Sequence, residues 1–396
     1  MIVAVETNRP IHHPQGMRPL TAFVIMTCSL GAAVATAGPT VVPERAVIVG
    51  RVGDGAWTDR ATEARIDQPA ELAVVVIARR GKQQIALAPS GIKRVIVRGK
   101  PWATQELAGA RVQWSTVEPH GFRTKPAANG VTSEFYSNVS MDPKSFGRWA
   151  GFDTIEYFER VVSAWGQTTS IAATVTSGEA NAQQVPGLGT IRYKVEVELD
   201  GKQLATPGAE AVDTLGLLPT VHRVSIRRGD DFLGYLSEYL LVPEVFGSAG
   251  GGSTHQTDRF NGADCADVMV GAARRMGRAV PYTNVAGLPT YAKPVAGLVE
   301  LDDAGMPDRE ISGVRAGDLI RIDYGGSLRG HTPRAFDHVA ALWEDRSDPS
   351  GPLKGAADGR LDGFDLVIHM GHPRLKIEPL SEQSPATIDV LRWRAK

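Results

Sequence analysis

Short apolar runs separated by turn-forming residues fill the first half of the chain and restrict it to folds built from β-sheets. Between residues 44 and 153 they include RAVIVGRV, ELAVVVIARRG, QQIALAP and RVQWSTVEP, with Gly, Pro and Asp between them. Apolar, β-branched runs of about 4–8 residues bounded by such turns are typical of strands. The spacing of the runs predicts a β-sandwich-like domain at residues 44–153.

A second β-rich region is predicted at residues 154–246. In GTIRYKVEVELDGKQL, apolar side chains alternate with charged ones up to Asp200-Gly201. Strict alternation predicts a half-buried strand, and the Asp-Gly pair predicts a hairpin turn. Farther along, apolar residues from Phe232 to Leu240 recur at helical spacing and stop before Pro243. We therefore expect a short helix near the end of this region.

The length of the chain and its balanced charge set further limits. It has 396 residues, with 43 Lys and Arg against 44 Asp and Glu, and a formal net charge of −1. Such a length predicts a further domain, which we place at residues 247–396. Its first residues, GSAGGGS, are either an interdomain linker or a flexible loop beside a site. A balanced charge provides no general attraction to nucleic acid, so we expect no nucleic-acid partner.

Residues 1–37 are predicted to be a cleaved export signal. The segment LTAFVIMTCSLGAAVATA at residues 20–37 has no charge and ends on small residues. An uncharged stretch closing on a small-x-small pattern is typical of secretory signals. A transmembrane anchor is less favoured because Ala, Thr and Gly dilute the run, and a lipid anchor on Cys28 lacks the usual small residue before it. We expect a protein exported to the periplasm or cell envelope, with no integral membrane span.

Removal of this signal would leave Cys265 as the single cysteine. The segment ADCADVMVGAARRMG predicts a helix with Asp264 as its N-cap, Asp267 in its first turn and two arginines before a terminal Gly277. Unpaired N–H groups and the helix dipole at such a start stabilise a thiolate, so we expect the pKa of Cys265 to lie below the value of about 8.5 for a free thiol. A buried, inert cysteine is the alternative.

Two histidines provide candidates for the base that a cysteine nucleophile needs and for the residue that orients this base. His338 lies in RAFDHVAALWED and His369 in DGFDLVIHMGHP, and both runs have the pattern of strands. We predict that the two strands are neighbours. Upstream of Cys265, Gln256 and Asp264 are candidates for substrate binding or for stabilising an oxyanion.

A zinc site is the competing interpretation of these histidines. His369 and His372, together with Asp337 and His338, include the residue types that bind zinc. However, a His-x-x-His pair on a strand does not place both imidazoles on one helix face, as the helical metalloprotease motif does. We therefore expect no metal and no other cofactor.

Taken in chain order, ADCADVMVGAARRMG, RAGDLIRI, FDHVAALW and FDLVIHM resemble the NlpC family of bacterial cell-wall cysteine peptidases. The resemblance covers about residues 250–375 and implies an α+β fold, with a papain-like C-terminal domain after the β-sandwich-like N-terminal region. It implies that Cys265 is the nucleophile, His338 the base and His369 the orienting residue.

The function implied by this resemblance is hydrolysis of peptide bonds in peptidoglycan through an acyl-thioenzyme. Three alternatives stay open. In the first, the protein is a non-catalytic cell-envelope binding protein with a degenerate papain-like domain. In the second, it is a hydrolase or acyltransferase that acts on another amide. Within the site, Asp337 or Asp345 could replace His369 as the third residue.

Overall fold

Strands dominate the computed structural model, which describes residues 40–124, 134–179, 182–250, 255–325 and 336–395. The export signal predicted at residues 1–37 lies outside the described residues. The structure is 44% β-strand and 9% helix, with mixed sheets. The expected α+β fold with a papain-like C-terminal domain is therefore wrong.

The described residues contain twenty-two strands in chain order. The first group is β1 (Val41–Val52), β2 (Thr62–Arg65), β3 (Ala70–Arg80), β4 (Gln83–Ala88), β5 (Arg94–Val97), β6 (Lys100–Glu106) and β7 (Arg111–Pro119). The second group is β8 (Tyr136–Ser137), β9 (Tyr157–Gly166), β10 (Ser170–Ala172), β11 (Gly189–Leu199), β12 (Lys202–Ala205), β13 (Val212–Asp213), β14 (Gly216–Leu217), β15 (His222–Arg227) and β16 (Val245–Phe246). The third group is β17 (Ala292–Leu301), β18 (Leu319–Asp323), β19 (His338–Glu344), β20 (Leu366–Met370), β21 (Leu375–Pro379) and β22 (Ala386–Trp393).

Helices are few and short in the described part of the chain. The α-helices are α1 (Phe232–Ser237) and α2 (Cys265–Arg275). Short 3₁₀-helices lie at Thr257–Arg259, Val285–Thr290 and Leu380–Gln383. No helix among the described residues is long and apolar enough to cross a membrane.

Two six-stranded sheets are built from the β-rich first half of the chain. The first has the order β1-β3-β4-β6-β5 with β10 beside β3, and the second has the order β2-β15-β11-β7-β9 with β12 beside β11. Strand β7 pairs with both β9 and β11, so residues 44–153 and 154–246 contribute to the same sheet. The domain boundaries proposed from the sequence stay predictions.

Local sequence explains two features of these sheets. Strand β3 is buried on both faces: Leu72 and Val74 join the main core, while Val75 and Ile77 join a smaller cluster on the opposite face. Burial of both faces accounts for the unbroken apolar run in β3. The predicted hairpin at Asp200-Gly201 is confirmed, since it joins β11 to β12 with φ of 52° and 73°.

The C-terminal third forms a sheet in the order β17-β22-β18-β19-β20-β21, in which every pairing is antiparallel. Helix α2 packs against β19 and β20 on one face. On this face, Val339, Ala341 and Ile368 of the sheet join Val268 and Met269 of α2 in the main core. Apolar alternation over residues 292–393 thus builds strands, which is why helices are too scarce for the expected α+β class.

Candidate active site

Helix α2 begins at Cys265, and its predicted N-cap is confirmed. Asp264 has an extended backbone, and its Oδ1 atom accepts a hydrogen bond from the Asp267 N–H at 2.8 Å. Its Oδ2 atom accepts from the Gly247 N–H at 3.1 Å. A carboxylate only accepts hydrogen bonds, so Asp264 holds the helix start and the preceding loop together.

The thiol of Cys265 is partly accessible and favours the protonated state. Burial, followed by the charge of Asp264, raises the pKa of Cys265 well above its ordinary value. A hydrogen bond from the Val339 N–H acts in the opposite direction. The expectation of a lowered pKa is therefore wrong, because burial and nearby carboxylates outweigh the helix dipole. The resting residue is a neutral thiol that needs a base.

His338 and His369 lie on neighbouring strands, as predicted. Ala340 of β19 pairs with His369 of β20, which makes His338 the diagonal neighbour of His369. The Nε2 atom of His338 lies 2.8 Å from the Nδ1 atom of His369. Their rings are perpendicular at 90°, with centroids 4.9 Å apart. This contact gives His369 the position of an orienting residue.

Glu378 on β21 extends this contact and was not identified from the sequence. Its Oε1 atom lies 2.9 Å from His369 Nε2, and its Oε2 atom lies 3.1 Å from Lys376 Nζ. Gln383 Nε2 also donates to Oε1, at 2.5 Å. Burial raises the pKa of Glu378, but the hydrogen bonds and charges of His369 and Lys376 outweigh burial and lower this pKa to about 2. Glu378 is therefore a carboxylate at neutral pH.

The proton positions along this series follow from the donors and acceptors. Because Glu378 only accepts, the proton of a neutral His369 ring lies on Nε2 and its Nδ1 accepts from His338 Nε2–H. Burial, followed by the charge of His369 in its protonated form and the charge of Lys376, lowers the pKa of His338 well below its ordinary value. A neutral His338 therefore carries its lone pair on Nδ1, which is the atom that a general base uses.

The start of β19 lies beside Cys265. Val339, whose N–H donates toward Cys265, directly follows His338 in the chain. Tyr324, just after β18, has its ring centroid 6.2 Å from that of His338. Burial, followed by the charge of Cys265, raises the pKa of Tyr324. The start of β19, which carries His338, thus adjoins the start of α2, which carries Cys265.

Tyr324 and Gln383 complete the hydrogen-bond network and were also missed by the sequence analysis. The Tyr324 hydroxyl donates to Gln383 Oε1, and Gln383 Nε2 donates to Glu378. The sequence does contain one signal that could have identified Glu378. Lys376 and Glu378 alternate on the strand-like run LKIEP directly after the His369 strand, which places both on the same face as His369 when the strands pair.

Gln256 is fully buried and binds a residue from the β-rich half of the chain. Its Oε1 atom accepts from Asn138 Nδ2 at 2.7 Å. The orientation of Asn138 is set because its Oδ1 accepts from the Asp153 N–H at 2.7 Å and its Nδ2 also donates to the Gly247 carbonyl at 3.1 Å. The Nε2 atom of Gln256 has no partner among the described residues. The side-chain amide of Gln256 therefore keeps both of its N–H donors unused within the described residues.

The residues of the alternative zinc site are not assembled. His372 Nδ1 lies 3.3 Å from a carboxylate oxygen of Glu244. Its ring packs against Phe122 and Phe135, with centroids 4.9 and 4.0 Å away. Both ring nitrogens of His369 are engaged by His338 and Glu378. Within the described ranges, no group of three or more His, Cys, Asp and Glu residues could hold a metal ion.

Among the described residues, neither aspartate considered as an alternative to His369 forms a hydrogen bond with His338. The carboxylate of Asp345 accepts from the N–H groups of Asp358 at 3.0 Å and Gly359 at 2.9 Å, so it holds a loop. Asp337 has a buried Oδ2 atom without a partner in the part of the chain that the structure describes. Among these described candidates, only His369 has a short contact with His338.

Comparisons of the chain with protein-family models, with curated proteins and with solved structures found no match. The site is therefore interpreted from its own chemistry. It offers a thiol at a helix start, a neutral imidazole on the residue that precedes Val339, and a second imidazole held by an ionised carboxylate. Such a combination can move a proton from sulfur to nitrogen and stabilise the resulting imidazolium.

Proposed function

We propose that the protein is an exported cysteine amidase or endopeptidase that hydrolyses peptide bonds in peptidoglycan within the periplasm or cell envelope. The observation that carries the proposal is the series of contacts from Glu378 through His369 to His338, at the start of a strand whose Val339 N–H donates toward Cys265. The export-signal pattern of residues 1–37 supports the location. The resemblance to the NlpC family supports the substrate.

Acylation begins with proton transfer. His338 Nδ1 takes the thiol proton of Cys265 while the sulfur attacks the carbonyl carbon of the scissile amide. Since the pKa of the thiol is raised, the proton moves during the attack and not before it. The imidazolium form of His338 is stabilised through His369 by the charge of Glu378. When the C–N bond breaks, His338 returns the proton to the leaving amine and a thioester remains on Cys265.

Deacylation reverses these roles with water as the nucleophile. His338 takes a proton from water, and the hydroxide attacks the thioester carbonyl carbon. The C–S bond breaks, the carboxylic acid leaves, and the sulfur recovers its proton from His338. The backbone N–H of Cys265 has no intrahelical acceptor at the first position of α2, so we assign it to the oxyanion of both tetrahedral intermediates.

The raised pKa of Cys265 favours a second candidate function. A thiol that is protonated at rest and flanked by carboxylates is a poor nucleophile unless its base is well placed. In this second candidate, the protein binds the cell envelope through its β-rich half without cleaving it, and the Cys265 region is a scaffold that lacks activity.

The two candidates are separated by incubating purified peptidoglycan with the mature protein and identifying the products by mass spectrometry. Wild type is compared with Cys265→Ala, with His338→Ala, and with His120→Ala as a control for histidine removal outside the site. Fragments with new amino and carboxyl ends should form with wild type and His120→Ala alone. Fragments that also form with Cys265→Ala exclude the cysteine mechanism, whereas sedimentation with peptidoglycan without any cleavage supports the binding protein.

A further inference from the structure

A cavity of about 390 Å³ lies on the first sheet, away from the elements that carry Cys265 and His338. Its lining includes Glu44 and Arg45 of β1, Lys100 and Trp102 of β6, and Arg98 from the turn between β5 and β6. Cavities of this size, with a few polar groups placed around them, are typical of small-ligand sites. Nothing in the proposed hydrolysis uses this one.

Three cationic side chains line the cavity. Among the described residues, the side chains of Arg45, Arg98 and Lys100 form no hydrogen bond or ion pair. The nearby carboxylates are already engaged. Glu44 pairs with Arg79 and accepts from Gln84 Nε2 at 3.0 Å, and Asp59 accepts from the Arg98 backbone N–H at 2.8 Å. The cavity therefore carries an excess of positive charge.

The position of Arg98 is conformationally costly. Arg98 and Gly99 form the two-residue turn between β5 and β6, with φ of 52° and 73°. Turns with positive φ at both positions prefer Asn, Asp or Gly at the first of them, because a Cβ atom makes the left-handed conformation unfavourable. This turn therefore presents a long cationic side chain at a position where Asn, Asp or Gly would be more favourable.

The guanidinium groups at this place repel each other. Burial, followed by the positive charge of Arg98, lowers the pKa of Arg45, whereas the carboxylate of Asp59 acts in the opposite direction. Bringing two guanidinium groups together is unfavourable unless an anion lies between them. Guanidinium groups bind phosphate and carboxylate through paired hydrogen bonds, and the partly buried Trp102 ring provides an apolar wall for the group that carries the anion.

We propose that this cavity binds the phosphate or carboxylate group of an anionic saccharide. Arg45 and Arg98 hold the anion, Lys100 adds a third positive charge at the rim, and the sugar ring packs beside Trp102. The site is independent of Cys265, so the protein binds this ligand whether or not the proposed hydrolysis takes place.

The test is isothermal titration calorimetry of the mature protein at low salt with glucose 6-phosphate, glucuronate and uncharged glucose. The two anionic sugars separate phosphate from carboxylate as the recognised group, and glucose controls for the sugar. We expect at least one anionic sugar to bind and glucose not to bind. Loss of charge-assisted hydrogen bonds in Arg45→Gln/Arg98→Gln should weaken that binding by about tenfold or more.

A control variant, Arg60→Gln/Arg94→Gln, removes the same charge from exposed residues outside the cavity lining and should bind like wild type. The single change Lys100→Gln, at an exposed position, should weaken binding severalfold without any risk to folding. Equal losses of affinity in the control and cavity variants would show that net charge alone determines binding, and would contradict the proposed site. Failure of both anionic sugars to bind wild type at millimolar concentration would also overturn it.

Discussion

The Nε2 atom of His338 lies 2.8 Å from the Nδ1 atom of His369, and this contact decides which nitrogen of His338 can act as a base. His369 accepts at Nδ1 only because its other nitrogen, Nε2, carries the proton that points to Glu378, 2.9 Å away. Glu378 therefore controls the tautomer of a residue it does not touch. The lone pair of His338 lies on Nδ1 as a consequence.

Replacing Glu378 tests this control. In Glu378→Ala, His369 is no longer held in one tautomer, so kcat should fall by on the order of tenfold or more with little change in KM. Glu378→Gln should retain more activity, because the side-chain amide oxygen still accepts from His369 Nε2–H. The measurement is steady-state kinetics on a peptide amide that the wild type cleaves. Glu382→Ala, an exposed carboxylate on the same segment, is the control, and a Glu378→Ala enzyme as fast as wild type would contradict the assignment.

The pH dependence of thiol labelling tests the ionisation state of Cys265. Because burial and Asp264 raise the pKa of Cys265, iodoacetamide should label it slowly at neutral pH and faster only above the ordinary thiol range of about 8.5. Asp264→Asn keeps an N-cap side chain but removes the charge, so its labelling profile should move to lower pH. Asp303→Asn, an exposed residue, should leave the profile unchanged. Fast labelling of wild type at neutral pH would show that the helix start lowers the pKa of Cys265 more than burial and the carboxylates raise it.

Acid stability should depend on His222. Its Nε2 atom lies 3.0 Å from Thr62 Oγ1, and burial, followed by the charge of Arg223, lowers its pKa to about 3. In the unfolded chain, His222 is protonated near its ordinary pKa of 6.5. Between about pH 3 and pH 6.5 the unfolded state therefore binds more protons than the folded state. Stability is thus complete above the unfolded pKa and is lost as the pH falls.

The expected loss through His222 between about pH 7 and about pH 4 is about 3 kcal/mol of unfolding free energy. Urea unfolding at both pH values measures it. His222→Gln, which still places a polar group near Thr62, should lose less stability on acidification than wild type. His120→Gln, at a partly exposed position, serves as the reference. If wild type and His222→Gln lose equal stability, His222 is not the group responsible.

Gly305 should tolerate no side chain. Its φ is 76°, and an added Cβ would lie 2.8 Å from the Gly363 Cα and 2.9 Å from the Ser381 Cα. Gly305→Ala should cost about 3 kcal/mol, because a backbone clash adds to the conformational cost of about 1 kcal/mol. Gly313 has a similar φ of 75° with open space around it, so Gly313→Ala should show the conformational cost alone. Equal thermal midpoints of the two variants would contradict the clash.

Local signals in the sequence account for the elements that carry the site. The N-cap and the charges at both ends place the start of α2 at Cys265, since these interactions lie within the helix and its first turn. Alternation likewise predicts the strands of His338 and His369, because the period of a strand is visible in a few residues. The sequence alone thus determined the nucleophile candidate and both imidazoles.

Tertiary structure decided everything that depends on contacts between distant segments. Glu378, Gln383 and Tyr324 meet the histidines only because β18, β19, β20 and β21 lie side by side in that order, and no local pattern encodes the order of strands in a sheet. The direction of the Cys265 pKa shift depends on burial and on carboxylates brought together by folding, so the helix start alone predicted it wrongly. The fold class was wrong for the same reason: a resemblance in short motifs does not specify the packing of the strands between them, and that packing made the protein mostly β.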